Sequence, residues 1–195
     1  VLVEHLEGVA AAARPPALIT ASGIDYYGFA NRGLGDFDDD PVAEDAPAGD
    51  SFLARVCEAW EREAWASEEL GLRVVRFRLG VVIGRGGALT KMTTPFKLFA
   101  GGRIGSGQQW FSWIHLDDAV AAFRAAVTDP RYTGPFNLVA PGATRNRDLA
   151  RALVVGGHRA VIAPFFPSGV RASASTGSKA PHRQRIRSRR PVSTP

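Results

Sequence analysis

The stretch from Arg78 to Asp118 limits most sharply what this chain can fold into. The run Arg73 to Arg78 breaks into Gly80-Val81-Val82-Ile83-Gly84-Arg85-Gly86-Gly87. Gly101-Gly102-Arg103-Ile104-Gly105-Ser106-Gly107 follows, and then Ser112-Trp113-Ile114-His115-Leu116-Asp117-Asp118. A short β-branched and aromatic run that ends at glycines reads as a buried strand. A glycine turn at the carboxyl end of a parallel strand lets backbone approach a flat ligand, in a crevice that suits a dinucleotide. The spacing alone equally allows glycines that only make tight turns around a packed α/β core.

The rest of the chain alternates in the same sense. Leu2, Leu6 and Val9 share one face of a helix that ends before Pro15-Pro16, and Ala17 to Thr20 reads as a buried parallel strand followed by a loop, Ser22 to Gly28. Asp36 to Asp50 is an acidic loop whose carboxylates read as solvated surface. Ser51 to Leu70 predicts an amphipathic helix with Leu53, Val56, Cys57, Trp60 and Ala64 on its buried stripe and Gly71 as its cap. Further helices are expected over Ala88 to Phe99, His115 to Val127 and Asn146 to Val155, with strands at Arg73 to Phe77 and Phe136 to Val139. Strands alternating with helices predict a doubly wound parallel sheet.

Charge excludes less than it first suggests. The chain of 195 residues carries net +5, yet residues 156–195 hold eight of the 24 Lys and Arg and none of the 19 acids, which leaves residues 1–155 at −3. Two regions follow: an α/β domain over 1–155, and a basic low-complexity tail over 156–195. The tail has no period that could bury a face, so residues 171–195 are expected to be disordered. Without aromatic residues interleaved among its arginines, it makes a poor nucleic-acid platform. A shifted reading frame near residue 155 would also produce such a composition. Cys57, the single cysteine, excludes an internal disulfide and any multi-cysteine metal centre, so no metal is expected. No apolar run spans a bilayer and no signal peptide is visible, which predicts a cytoplasmic protein without membrane contact.

Six motifs together carry a family resemblance: Thr20-Ala21-Ser22-Gly23-Ile24-Asp25-Tyr26-Tyr27-Gly28, the helix containing Trp60-Glu61, Arg78-Leu79-Gly80-Val81-Val82-Ile83-Gly84, Gly105-Ser106-Gly107-Gln108, Trp113-Ile114-His115-Leu116-Asp117-Asp118, and Gly134-Pro135-Phe136-Asn137-Leu138-Val139-Ala140-Pro141. In that order, over residues 1–155, the chain resembles the atypical short-chain dehydrogenase/reductases called NAD-dependent epimerase-like or cell-division-inhibitor-like. The resemblance implies the carboxyl-terminal portion of a Rossmann-like sheet that binds NADP or NAD. The family's Gly-x-x-Gly-x-x-Gly phosphate cradle belongs after a first strand lying roughly four strands ahead of anything present here. Tight dinucleotide binding by this chain is therefore expected to be lost.

The cofactor contacts that the resemblance leaves are on the nicotinamide side, at Arg78, Leu79, Gly80, Val81 and Val82. Its catalytic candidates are Ser22, as hydrogen-bond partner of a substrate oxygen, and Tyr27, as acid; Gly23 stands as another match to the family's serine position. A Tyr before Gly in such a loop also serves to pack over the cofactor. His115 can titrate, or serve as a hydrogen-bonded structural residue beside Asp118. The superfamily's Tyr-x-x-x-Lys would fall near Phe52 to Cys57, where neither residue is present. A phenol needs a nearby cation to act near neutral pH. The expectation is an NAD(P)-binding epimerase- or oxidoreductase-like protein acting on a small molecule and inactive as this piece. The alternative is a dinucleotide-binding sensor or interaction protein. An incomplete sheet is expected to leave an edge open to self-association.

Overall fold

Strand β1 (Ala17–Gly23) pairs in parallel with β3 (Arg73–Leu79), and β3 in parallel with β7 (Gly134–Leu138), giving a three-stranded sheet in the order β1-β3-β7. The computed structural model describes residues 2–28, 41–84, 87–98, 100–142, 144–156 and the pair 186–187. Of the expected tail, Gly156 and Ile186–Arg187 alone lie among the described residues. The latter two form a short strand, β9, antiparallel to β2 (Pro41–Val42).

Parallel neighbours need crossovers, and helices supply them on both faces of the sheet. Helix α2 (Phe52–Ala66) links β1 to β3; the chain passes from β3 to β7 through several elements, including α4 (Leu116–Thr128). Val75, Phe77 and Ala126 are buried together, with Ile19, Leu79, Phe123 and Phe136 packed against them, so this face of the sheet receives α4. The alternate strand positions face α2: Arg76 lies over the Trp65 ring, and Arg78 reaches Glu61. A doubly wound arrangement results. Before it, α1 (Leu2–Glu7) is shorter than the apolar spacing predicts, and Ala11–Ala13 forms a separate 3-10 turn.

Helix α2 starts where its sequence says but ends at Ala66, short of the expected Leu70. The Ser51 Oγ accepts the Ala54 N–H at 3.1 Å, and after the 3-10 turn Ser67–Leu70 the chain reverses at Gly71, whose φ of 82° suits glycine. Its buried stripe is displaced, however. Ala54, Cys57, Glu61 and Ala64 face inward, while Leu53 and Trp60 are 45% and 59% exposed. Small side chains bring the helix close to the sheet, and Glu61 turns inward because Arg78 waits there.

Past β3, the glycine-bounded segment that reads as a turn contains strand β4 (Val81–Ile83), paired in parallel with β6 (Trp113–His115). Helix α3 (Gly87–Lys97) follows β4, and β5 (Trp110–Phe111) pairs antiparallel with β8 (Thr144–Arg145), which leads into α5 (Asn146–Gly156). Ile83, Trp113, Leu149 and Leu153 form the core here. Among the described residues, no helix is long and apolar enough to cross a membrane.

Candidate active site

Register places Ser22, Arg78 and Asn137 side by side across β1, β3 and β7. All three lie near the carboxyl ends of parallel strands, where open α/β sheets hold their ligands. All three are buried, at 6%, 3% and 6% exposure. A sheet core with three polar residues in one row needs partners for them.

Arg78 finds its partners on two sides. Its Nε and Nη2 donate to the two Glu61 carboxylate oxygens, each at 2.8 Å, and its Nη1 donates to the Tyr27 hydroxyl at 2.7 Å and to the Glu44 carbonyl at 3.0 Å. The guanidinium also stacks 3.5 Å from the centroid of the Tyr26 ring. Tyr27 in turn donates to the Asn137 Oδ1 at 2.7 Å, while the Asn137 Nδ2 donates to the Val42 carbonyl at 3.3 Å and its backbone N–H to the Glu44 Oε1 at 3.1 Å. The 3-10 turn Ile24–Tyr27, the 42–44 segment, α2, β3 and β7 are thereby tied to one cation.

The electrostatics follow from this burial. Burial opposes the charge of Arg78, but the Glu61 carboxylate and the Tyr27 oxygen outweigh it and hold the guanidinium firmly protonated. Burial raises the Tyr27 phenol above its ordinary value despite the Arg78 charge and hydrogen bond, so the ring stays neutral. Asp25, in the same turn, is also raised by burial, against the pull of its own backbone N–H.

Two buried oxygens of this site are left over. The Ser22 Oγ and the Glu44 Oε2 have no hydrogen-bond partner in this structure. A buried hydroxyl without a partner costs about 1–3 kcal/mol. At the open end of the sheet, Ser22 therefore fits a residue that waits for a ligand oxygen or amide.

The other expected residues sit as follows. Tyr27 has its donor used by Asn137 and an acceptor pair used by Arg78, the geometry of a packing residue more than of a free acid. The side chain of Arg78 is wholly engaged within the protein. Leu79 packs in the core facing α4, and Val81 and Val82 are half-buried in β4. Gly80 is where backbones meet: a Cβ there would lie 2.9 Å from the Ser112 carbonyl oxygen. Gly23 has Cys57 beside it, its added Cβ lying 3.6 Å from the Sγ. Where the missing pair would fall, Phe52 and Leu53 are exposed, and Ala54 and Cys57 are buried. His115 caps α4, its Nδ1 accepting the Asp117 N–H at 3.2 Å, which realises the structural alternative, with Asp117 as partner in place of Asp118. Glu61, Glu44, Tyr26 and Asn137 complete the site without having been singled out as site residues; only their places inside the family motifs at Trp60-Glu61, Tyr26 and Asn137 hinted at three of them.

No family model matches the chain. Known proteins do. The epimerase family protein SDR39U1 homolog of Arabidopsis thaliana, chloroplastic, is 41% identical over 153 residues, which is 78% of this chain and 42% of that protein. The epimerase family protein YfhF of Bacillus subtilis is 36% identical over 146 residues, 75% of this chain and 46% of that one. This chain belongs to the epimerase family of atypical short-chain dehydrogenase/reductases. Among solved structures, human epimerase family protein SDR39U1, determined with NADPH, superimposes with a TM-score of 0.62 at 33% identity, covering 78% of this chain and 50% of that chain. The chain spans about half or less of the length of these relatives.

Proposed function

We propose that this chain is the substrate-side portion of an NAD(P)-binding, epimerase-like protein. In this reading Ser22 offers its hydroxyl to an oxygen of a small-molecule substrate. The backbone of Arg78, Leu79, Gly80, Val81 and Val82 borders the nicotinamide side of an NADP or NAD cofactor. Bound there, the dinucleotide would supply hydride chemistry. The single observation that carries the reading is the unpartnered, buried Ser22 hydroxyl at the carboxyl end of β1, within a fold whose family includes an NADPH-bound member.

A second reading has its own support. Neither Tyr nor Lys stands between Phe52 and Cys57, and the hydroxyl of Tyr27 is held on both sides. A dinucleotide-binding sensor needs neither proton donor. NADPH consumption with a panel of carbonyl compounds, measured on a form extended by the upstream half of a relative, separates the two: turnover supports the enzyme, and binding without turnover supports the sensor. We further infer a cytoplasmic location, no role for nucleic acid, and self-association of the isolated chain through the open β1 edge. Light scattering that finds only monomer would count against the last point.

A further inference from the structure

Asp25 is a carboxylate for which the fold itself has no use. Among the described residues its side chain makes no ion pair, and the hydrogen bond it accepts comes from its own backbone N–H. Glu61, by contrast, is joined to Arg78, and Glu44 accepts the Asn137 N–H. Burial raises the Asp25 carboxyl above its ordinary value, so where it is ionised it subtracts from the stability of the fold. A group kept at such a cost fits a functional role.

Its place is the carboxyl end of β1. The 3-10 turn Ile24–Tyr27 follows that strand directly and holds the half-buried Asp25 three residues beyond Ser22. Gly23, the other match to the family's serine position, stands between them. A Cβ on it would lie 3.2 Å from the Asp25 Oδ2, and the glycine leaves that space open. Gly23 is also the register partner of Leu79, so the carboxylate borders the strand ends assigned above to the nicotinamide side. The turn packs against α2, β3, β7 and the 42–50 segment, whose ionisable groups toward it are Cys57, Glu61, Arg78, Glu44, Asp45 and Asp50. Arg78 is engaged by Glu61 and Tyr27, and Tyr27 donates its only proton to Asn137. Asp25 is thereby the carboxyl at this end of the sheet whose proton is free to move.

We propose that Asp25 is a catalytic residue that exchanges a proton with the substrate oxygen, in the role for which this chain has no Tyr-x-x-x-Lys pair, and that the substrate carries a carbonyl or secondary hydroxyl group. The proposal rests on the enzyme reading above. In the reducing direction the Asp25 O–H bond breaks and the substrate oxygen gains that proton, so that the carbonyl becomes a hydroxyl; the hydride taken by its carbon is what a reduced nicotinamide supplies, and water returns a proton to the carboxylate. In the oxidising direction the carboxylate accepts the hydroxyl proton.

Titration and kinetics together test it. In the full chain, an isotope-labelled Asp25 carboxyl, identified by its loss in Asp25→Asn, titrates above the ordinary aspartate range. In the form extended by the upstream half of a relative, NADPH-dependent reduction of carbonyl compounds falls as pH rises through that titration, since only the protonated carboxyl donates. Asp25→Asn lowers kcat about a hundredfold and abolishes the pH step, with KM and NADPH affinity unchanged. A purely structural Asp25 would leave the pH profile where it was. Asp25→Glu moves the step without removing it, and decides alone if the asparagine variant does not fold; an unmoved step overturns the proposal. So does wild-type turnover that survives Asp25→Asn, or a carboxyl that titrates in the ordinary range, and in either case the enzyme reading stands. Binding of NADPH by the wild type without turnover overturns the enzyme reading, and the role of Asp25 with it.

Discussion

Replacing Arg78 with methionine should be among the most damaging single changes in this protein, and pairing it with Glu61→Leu should undo much of the damage. Arg78 and Glu61 are 3% and 4% exposed, and they meet through two 2.8 Å hydrogen bonds. Arg78→Met leaves the Glu61 carboxylate buried without its cation, a defect that costs about 3–5 kcal/mol. The double variant removes that stranded charge. It still leaves the Glu44 carbonyl short of a donor and the Tyr27 oxygen short of one bond. Each such loss costs about 1 kcal/mol, so the double variant should sit roughly 2 kcal/mol below the wild type. Urea denaturation of the four proteins at unchanged slope measures the coupling directly. Additive effects, with a coupling below about 0.5 kcal/mol, would refute the claim that Arg78 and Glu61 depend on each other as a buried pair.

Three further outcomes follow from the same geometry. Tyr27→Phe strips one partner each from Arg78 and Asn137 and should lower stability by about 1–3 kcal/mol in a denaturant titration, with no loss expected if both groups found water instead. Gly80→Ala drives a Cβ to within 2.9 Å of the Ser112 carbonyl and should cost about 1–3 kcal/mol, seen as a lowered melting temperature; wild-type stability would mean that β4 and β6 separate freely. Asp25 has its folded-state pKa raised by burial, so the folded protein takes up its proton more readily than the unfolded chain. Stability from this group therefore rises as pH falls through the raised value, and Asp25→Asn should be more stable than wild type near neutrality, with the advantage vanishing toward acid pH. An advantage that does not change with pH would contradict the assignment.

The parts of the fold set by neighbouring residues were legible in the sequence, and those set by distant partners were not. Ser51 announces the start of α2, and Gly71 the end of the 3-10 turn that follows it, because a cap and a left-handed turn are local events. The inward face of the same helix was misread. Leu53 and Trp60 outrank Glu61 in hydrophobicity, and only the arrival of Arg78 from β3 makes Glu61 the buried residue. Strand β4 was hidden for a similar reason: three residues between glycines become a strand only when Trp113 to His115 lie alongside. At the site, Tyr27 and Ser22 could be singled out from their motif. The partner that fixes the Tyr27 hydroxyl lies 110 positions away, in β7, where nothing local marks Asn137 as more than a strand residue.

The central claim is that a dinucleotide crevice lies at the carboxyl ends of β1, β3 and β7, and calorimetry with NADPH and NADH tests it most directly, on this chain and on a form extended at its amino terminus by the upstream half of a relative. The account predicts binding by the extended form and its weakening by substitutions at Gly80 or Ser22, with little binding by the chain alone. No binding by a folded extended form would contradict it.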